Sequence, residues 1–140
     1  MKRIITVQDI SCLGKCSLTV ALPIISAMGV EACVLPTAVL STHTAFQGFT
    51  FRDLTSDIVP ISQHWQNHKF HFDAIYTGYL GSFEQLNLMH NLIDDFGSTD
   101  TLTIVDPCMA DNGNLYYGFT QEFAFAMAKL CFKANVIVPN

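Results

Sequence analysis

Two carboxylates stand just beyond the apolar run Leu102–Val105. Asp106 comes directly after it and Asp111 five residues later, with Pro107 ending the strand. In an open α/β sheet, ligands bind just outside the carboxyl ends of the strands. Two acids there suit a hydrated divalent cation and a phosphate, because Mg²⁺ keeps most of its waters and takes one or two carboxylates plus phosphate oxygens. Gly78-Tyr79-Leu80-Gly81 follows another apolar run. Its glycines permit close backbone approach, and Tyr79 offers a flat ring with a polar tip. The same four residues also read as a tight turn with a half-buried tyrosine. His43 sits between Thr42 and Thr44, where imidazole and hydroxyls converge on a ligand or satisfy one another.

Gly14-Lys15-Cys16-Ser17 follows the first apolar run and opens a helical segment. The phosphate-binding pattern G-x-x-x-x-G-K-[ST] requires Gly at position 9 and Ser or Thr at position 16. Asp9 and Cys16 stand there instead. The segment reads as a plain strand-to-helix turn in which Asp9, Ser11 and Gly14 remain polar groups open to a ligand. The cysteines, at 12, 16, 33, 108 and 131, form no C-x-x-C and no disulfide-scaffold rhythm. Cys33 and Cys131 fall on apolar positions and read as small core residues.

These side chains need strands to carry them. Ile4–Val7, Ala32–Leu35, Ala74–Tyr76, Leu102–Val105 and Val136–Val138 read as five strands, several of them unbroken apolar runs as in sheets covered on both faces. Between them, helices are expected over Ser17–Met28, closed by Gly29, and over Thr55–His68, with Pro60 in or near the first turn. A third starts at Ser82, with Gln85 completing a capping box and Phe83, Leu86, Met89, Ile93 and Phe96 on one face. Gly97 closes it, and a fourth spans about Thr120–Lys133. The alternation implies an α/β, doubly wound, mostly parallel sheet with helices on both faces. Residues 37–51 break the rhythm as an extended flap or short hairpin.

The composition fits one domain with a large core: half of the 140 residues are hydrophobic and 14% are charged. A net charge of −5 argues against a nucleic-acid partner. The longest uncharged stretch, residues 16–30, is too short to span a membrane and contains Pro23. A mean hydropathy of +0.32 implies apolar surface that expects a partner. The chain stops at the carboxyl edge of an expected central strand, so a truncated sequence in a reduced, cytoplasmic setting is expected.

Five segments in order resemble the pyridoxal/pyridoxamine kinases of the ribokinase-like superfamily, in their N-terminal half only. They are Ile5-Thr-Val-Gln-Asp, Ser41-Thr-His-Thr44, Tyr76-Thr-Gly-Tyr-Leu-Gly-Ser82, Val105-Asp-Pro-Cys-Met-Ala-Asp111 and Val138-Pro-Asn140. The resemblance implies ATP- and Mg²⁺-dependent phosphorylation of the 5′-hydroxymethyl group of a B6 vitamer, by a homodimer with a monovalent-cation requirement left open. It implies that Asp9, His43, Thr44 and Tyr79 contact substrate. Asp106, Asp111, Val138 and Asn140 then lie on the ATP side, the two aspartates facing the metal. Asp9 stands where many members have Ser and is similar to the Asp of hydroxymethylpyrimidine kinases, so a pyrimidine or dual-substrate kinase is the alternative. A non-catalytic vitamer-binding module is a further one. The family's catalytic Asp, in a Gly-rich motif near the C-terminus, has no match in these residues, so this polypeptide alone is expected not to turn over.

Overall fold

The computed structural model describes residues 1–139. Asn140, expected on the ATP side, lies outside them. Six strands form one sheet: β1 (Arg3–Ser11), β2 (Glu31–Leu40), β3 (Phe51–Asp53), β4 (Ala74–Thr77), β5 (Leu102–Val105) and β8 (Val136–Ile137), in the order β3-β2-β1-β4-β5-β8. All pairings are parallel except that of β3 with β2. Two short strands, β6 (Ala110–Asp111) and β7 (Asn114–Leu115), make a separate hairpin. The helices are α1 (Leu18–Ala27), α2 (Thr55–Asn67), α3 (Phe83–Phe96) and α4 (Gln121–Cys131).

Alternation along the strands puts Ile5, Val7, Leu35, Ile75 and Val105 on one face, where they are closed over by Ile58 of α2, Leu86 and Met89 of α3, and Met127 and Leu130 of α4. All ten of these side chains are almost wholly buried. Helix α1 packs on β1 and β2 from the opposite side. The doubly wound, mostly parallel sheet with helices on both faces is therefore borne out.

Three local readings need correction. β2 runs on to Leu40 because β1 continues to pair with it, Ser11 against Leu40, and β3 returns antiparallel on its other side, pairing Ala38 with Asp53 and Leu40 with Phe51. The flap is thus the loop of a hairpin, and Pro36 is tolerated because β3 pairs only from Ala38 onward. Pro60 is not in the first turn but sixth in α2, where it removes one helical hydrogen bond. The neighbouring Ile58, at 1% exposure, anchors the helix through this point. Gly97 ends α3 in an extended conformation, φ −72°, instead of a left-handed one. A side chain there would collide with the carbonyl of Ile93.

The α3 start is half a capping box. The Gln85 amide donates to Ser82 Oγ at 3.1 Å, as expected. The Gln85 side chain, however, accepts from Gly81 N at 2.8 Å and donates to Thr55 Oγ1 at 2.9 Å and to the Thr37 carbonyl at 3.3 Å. One buried amide thereby joins the loop after β4, the start of α2 and the base of the flap.

Candidate active site

The strand order reverses direction at β1: its crossover leads to β2 on one side, while β4 lies on the other. Crevices at such switch points are where doubly wound sheets bind ligands. At this end the β1–β2 register shifts: Gln8 to Ile10 on β1 faces Pro36 to Val39 on β2, so the extra residue lies on β2, opposite Asp9. Such irregularities bend the bulged strand and are common beside sites. Asp9 is buried, with Ser11 Oγ donating to its Oδ2 at 3.3 Å.

Beside it, Gly78 hydrogen-bonds through its amide to the Val7 carbonyl at 2.9 Å. A Cβ on Gly78 would stand 2.6 Å from Cδ of Gln8, so glycine is required for Gln8 to lie flat across the strand end. Gln8 is buried and close enough to the Tyr76 hydroxyl to hold its pKa down against the rise from burial. Asp106 follows β5, its amide held by the Thr77 carbonyl at 3.0 Å.

These residues surround a cavity of about 420 Å³ whose lining includes Gln8, Tyr76, Tyr79, Asp106, Cys108 and Lys15, with α1 as the far wall. Its lining sets the Asp106 carboxyl and the Lys15 ammonium among neutral groups. Burial raises the Asp106 carboxyl above its ordinary value, opposed by a hydrogen bond from Cys108. Asp106 Oδ1 is nevertheless buried with no hydrogen-bond partner. Burial and then Asp106 push the Cys108 thiol up to about 12, which keeps it protonated and unreactive. Tyr76 is raised by burial and then by Asp106, while Tyr79 is raised by burial and then by the nearby Asp9. Tyr79 stacks on Phe119, with centroids 5.8 Å apart and planes at 11°. The outcome is a half-buried tyrosine ring held flat beside polar groups.

The expected site residues are thus unevenly gathered. Tyr79 and Asp106 line the cavity, and Asp9 is close enough to perturb Tyr79 and Cys108. His43 lies against Gly14, where a Cβ would be 2.8 Å from its Cδ2, and that contact needs glycine at φ 110°. His43 Nδ1 accepts from Ala45 N at 3.4 Å, so its partner is flap backbone, not a neighbouring hydroxyl. Thr44 is exposed. Asp111 is exposed on the β6–β7 hairpin, apart from the cavity lining. Val138 lies next to β5, its amide donating to the Val105 carbonyl at 3.0 Å.

Among the described residues no group of three or more His, Cys, Asp or Glu could hold a metal ion. The donor set here, one carboxylate with an unpartnered oxygen, suits a cation that takes most of its ligands from water and phosphate. Gln8, Lys15, Tyr76 and Cys108 were not anticipated from sequence. The signal for Gln8 was present: it is the polar residue that ends the apolar run of β1, two places beyond Thr6, which pairs with Tyr76.

No protein-family model matches the chain. Over 93 residues, 63% of its length, it is 30% identical to a Saccharomyces cerevisiae protein named "Putative pyridoxal kinase", of which it covers 29%. Its fold superposes with a TM-score of 0.95 on a "putative phosphomethylpyrimidine kinase" from Bacteroides thetaiotaomicron, crystallised with pyridoxal. That protein is 48% identical over 99% of this chain, which covers 49% of it. The pyridoxal kinase of Lactobacillus plantarum is 34% identical, with a TM-score of 0.91, over all of this chain and 50% of its own. Leishmania donovani pyridoxal kinase with ADP, 20% identical, shares the fold with a TM-score of 0.85. The chain thus spans about half the length of the solved structures it matches and less of the curated relative.

Proposed function

We propose, from this kinship with the pyridoxal kinases, that the chain forms the substrate-side half of an ATP-dependent kinase acting on the 5′-hydroxymethyl group of a B6 vitamer. One observation carries the reading. The cavity walled by Tyr79, Gln8 and Asp106 opens at the switch point of a fold shared, at 48% identity, with a structure that contains pyridoxal.

Each residue has a role in this reading. Tyr79, held flat by Phe119, stacks on or borders the pyridine ring. Asp9, at the β1–β2 register shift, accepts a hydrogen bond from a ring donor, and His43 and Thr44 belong to the covering flap. Asp106 faces the nucleotide phosphates, as do Val138, whose amide is bound at the end of β5, and Asn140. ATP with Mg²⁺ supplies the phosphoryl group and the charge neutralisation that such transfers depend on. Asp106 Oδ1 is the atom of this chain best placed to hold the hydrated cation, with Asp111 joining through water. We assign no residue of this chain as the base. A cytoplasmic homodimer belongs to the same reading.

Calorimetric titration of the chain with pyridoxal, pyridoxamine and hydroxymethylpyrimidine tests it. Saturable pyridoxal binding is expected, with Tyr79→Ala weakening it about tenfold through loss of ring contact. Absence of binding by any of the three up to millimolar concentration overturns the reading. Asp9 favours one second reading, a hydroxymethylpyrimidine kinase, because a carboxylate also suits the amino group of that ring. Tighter binding of the pyrimidine than of every vitamer selects it.

A further inference from the structure

The flap and the loop that carries Tyr79 are fed by strands that do not pair. β2 leads into the flap and β4 into the loop, and β1 lies between them in the sheet. The ladder therefore cannot set one directly against the other. A side chain does so: the amide of Gln85, 2% exposed in the first turn of α3, reaches both.

On the loop side, Gln85 Oε1 accepts from the Gly81 amide at 2.8 Å. The Tyr79 ring packs against Gly81, where a Cβ would stand 3.4 Å from its Cε1 and 3.6 Å from its hydroxyl oxygen. Moving the Gly81 backbone moves the seat of that ring. On the flap side, Gln85 Nε2 donates to Thr55 Oγ1 at 2.9 Å and to the Thr37 carbonyl at 3.3 Å. The same carbonyl accepts from the Leu54 amide at 3.0 Å. Thr37 precedes the flap hairpin and Leu54 follows it, so one oxygen ties both feet of the flap.

The chemistry of this junction calls for a primary amide. The Gly81 N–H needs an acceptor and the Thr37 carbonyl a donor, and an amide offers both from one planar group. A carboxylate would turn an oxygen toward that carbonyl, and an apolar side chain would serve neither partner. Starting α3 asks for less, because Ser82 Oγ already accepts the Gln85 backbone amide at 3.1 Å. We propose that Gln85 is a positioning residue for the candidate site. Acting through Gly81 and Thr37, it fixes the Tyr79 ring relative to the flap that bears His43 and Thr44. A ligand that orders the loop then orders the flap as well. The B6 reading supplies the probe, pyridoxal, but the link itself stands apart from it.

The test combines calorimetric titration of the chain by pyridoxal with hydrogen exchange of the bonded flap amides, those of Ser41, Phe46 and Thr50. Gln85→Met keeps the length of the side chain and removes its hydrogen bonds. It should weaken pyridoxal binding about tenfold and speed flap exchange in the free chain at least about fivefold relative to β1. It should also abolish the protection that pyridoxal gives the flap. Ser82→Ala removes the cap of α3 and leaves the Gln85 side chain alone. That variant should lower Tm while affinity and relative flap exchange stay as in wild type. Where Gln85→Met does not melt cooperatively, Thr55→Val removes one acceptor of the same amide and should give both changes at about threefold. Affinity and flap exchange that move alike in the Gln85 and Ser82 variants would reduce Gln85 to a helix cap and overturn the proposal. A wild-type chain that ignores pyridoxal sinks the B6 reading, and flap exchange in the free chain still decides this one. Pyridoxal bound equally by wild type and Gln85→Met, with the flap unchanged, sinks this one alone.

Discussion

The two ends of one sheet treat their polar groups in opposite ways. At the amino end, Asp73 accepts from Lys2 Nζ at 2.6 Å and from the Arg3 amide at 2.8 Å. Arg3 Nε reaches Glu31 at 2.6 Å, and Asn135 Oδ1 takes the Thr103 amide at 2.8 Å. At the carboxyl end, Asp106 Oδ1 and the hydroxyls of Thr77, Thr37 and Thr42 are buried without hydrogen-bond partners. Ser17, a non-glycine residue at the cavity wall, holds a positive φ of 48°. Buried polar groups without partners cost stability, as does backbone strain, and such costs are tolerated where function needs them. The amino end is built to hold the sheet together, and the carboxyl end to receive something.

That contrast can be broken at several points. Gly78→Ala has the largest expected effect, because its methyl displaces the buried amide of Gln8. Overpacking of this kind costs about 2 kcal/mol, or a Tm about 6 °C lower in a chain of this size. Gln8→Ala in the same chain should recover part of the loss, and a double-mutant cycle by thermal denaturation checks it.

Asp106→Asn should do the reverse, raising Tm at pH 7 by about 3 °C by removing an underpaired carboxylate. Because the folded-state pKa of Asp106 is raised, its favourable contribution is complete below the unfolded value of about 3.9 and is lost as pH rises through the folded value. The advantage of the variant should therefore vanish near pH 3.5 and grow as pH climbs. A melting series across pH measures this, and a variant less stable than wild type at pH 7 would mean that Asp106 is a structural acid.

Ser17→Gly should relieve a positive φ without losing a cap, since the Ser17 side chain makes no capping bond. A gain of about 0.5 kcal/mol, read by urea denaturation, is expected. The smallest change is expected at the opposite end. Asp73→Asn should lower Tm slightly at pH 7, with the opposite pH profile to Asp106. Its hydrogen bonds with Lys2 and Arg3 hold its pKa below the ordinary value. The stabilisation is thus present above about pH 3.9 and fades as pH falls through the depressed folded value.

Legibility followed the range of the interaction. Leu102–Val105 was read to the residue, and the Ser82 and Thr120 helix starts were visible because a cap is a contact over three residues. The extension of β2 to Leu40 was not visible, because its reason is pairing with strands more than ten residues away in sequence. Tyr79 and Asp106 were named from strand-end position, whereas Gln8, which also ends an apolar run, and Cys108 were not. Their importance comes from Gly78 in one case and Asp106 in the other.

By itself, then, the amino-acid sequence determined the alternation of strands and helices, the face each buries and the strand ends that carry chemistry, because periodicity and capping are local. Tertiary structure alone decided which of those ends meet. Strand order and register brought Tyr79 and Asp106 to one cavity with Asp9 close to Tyr79, and put Asp111 on a hairpin outside its lining. Among the described residues, they also left the β4–β5–β8 end of one face without a helix. Distance across a sheet is set by pairing, and five residues of sequence separation do not measure it.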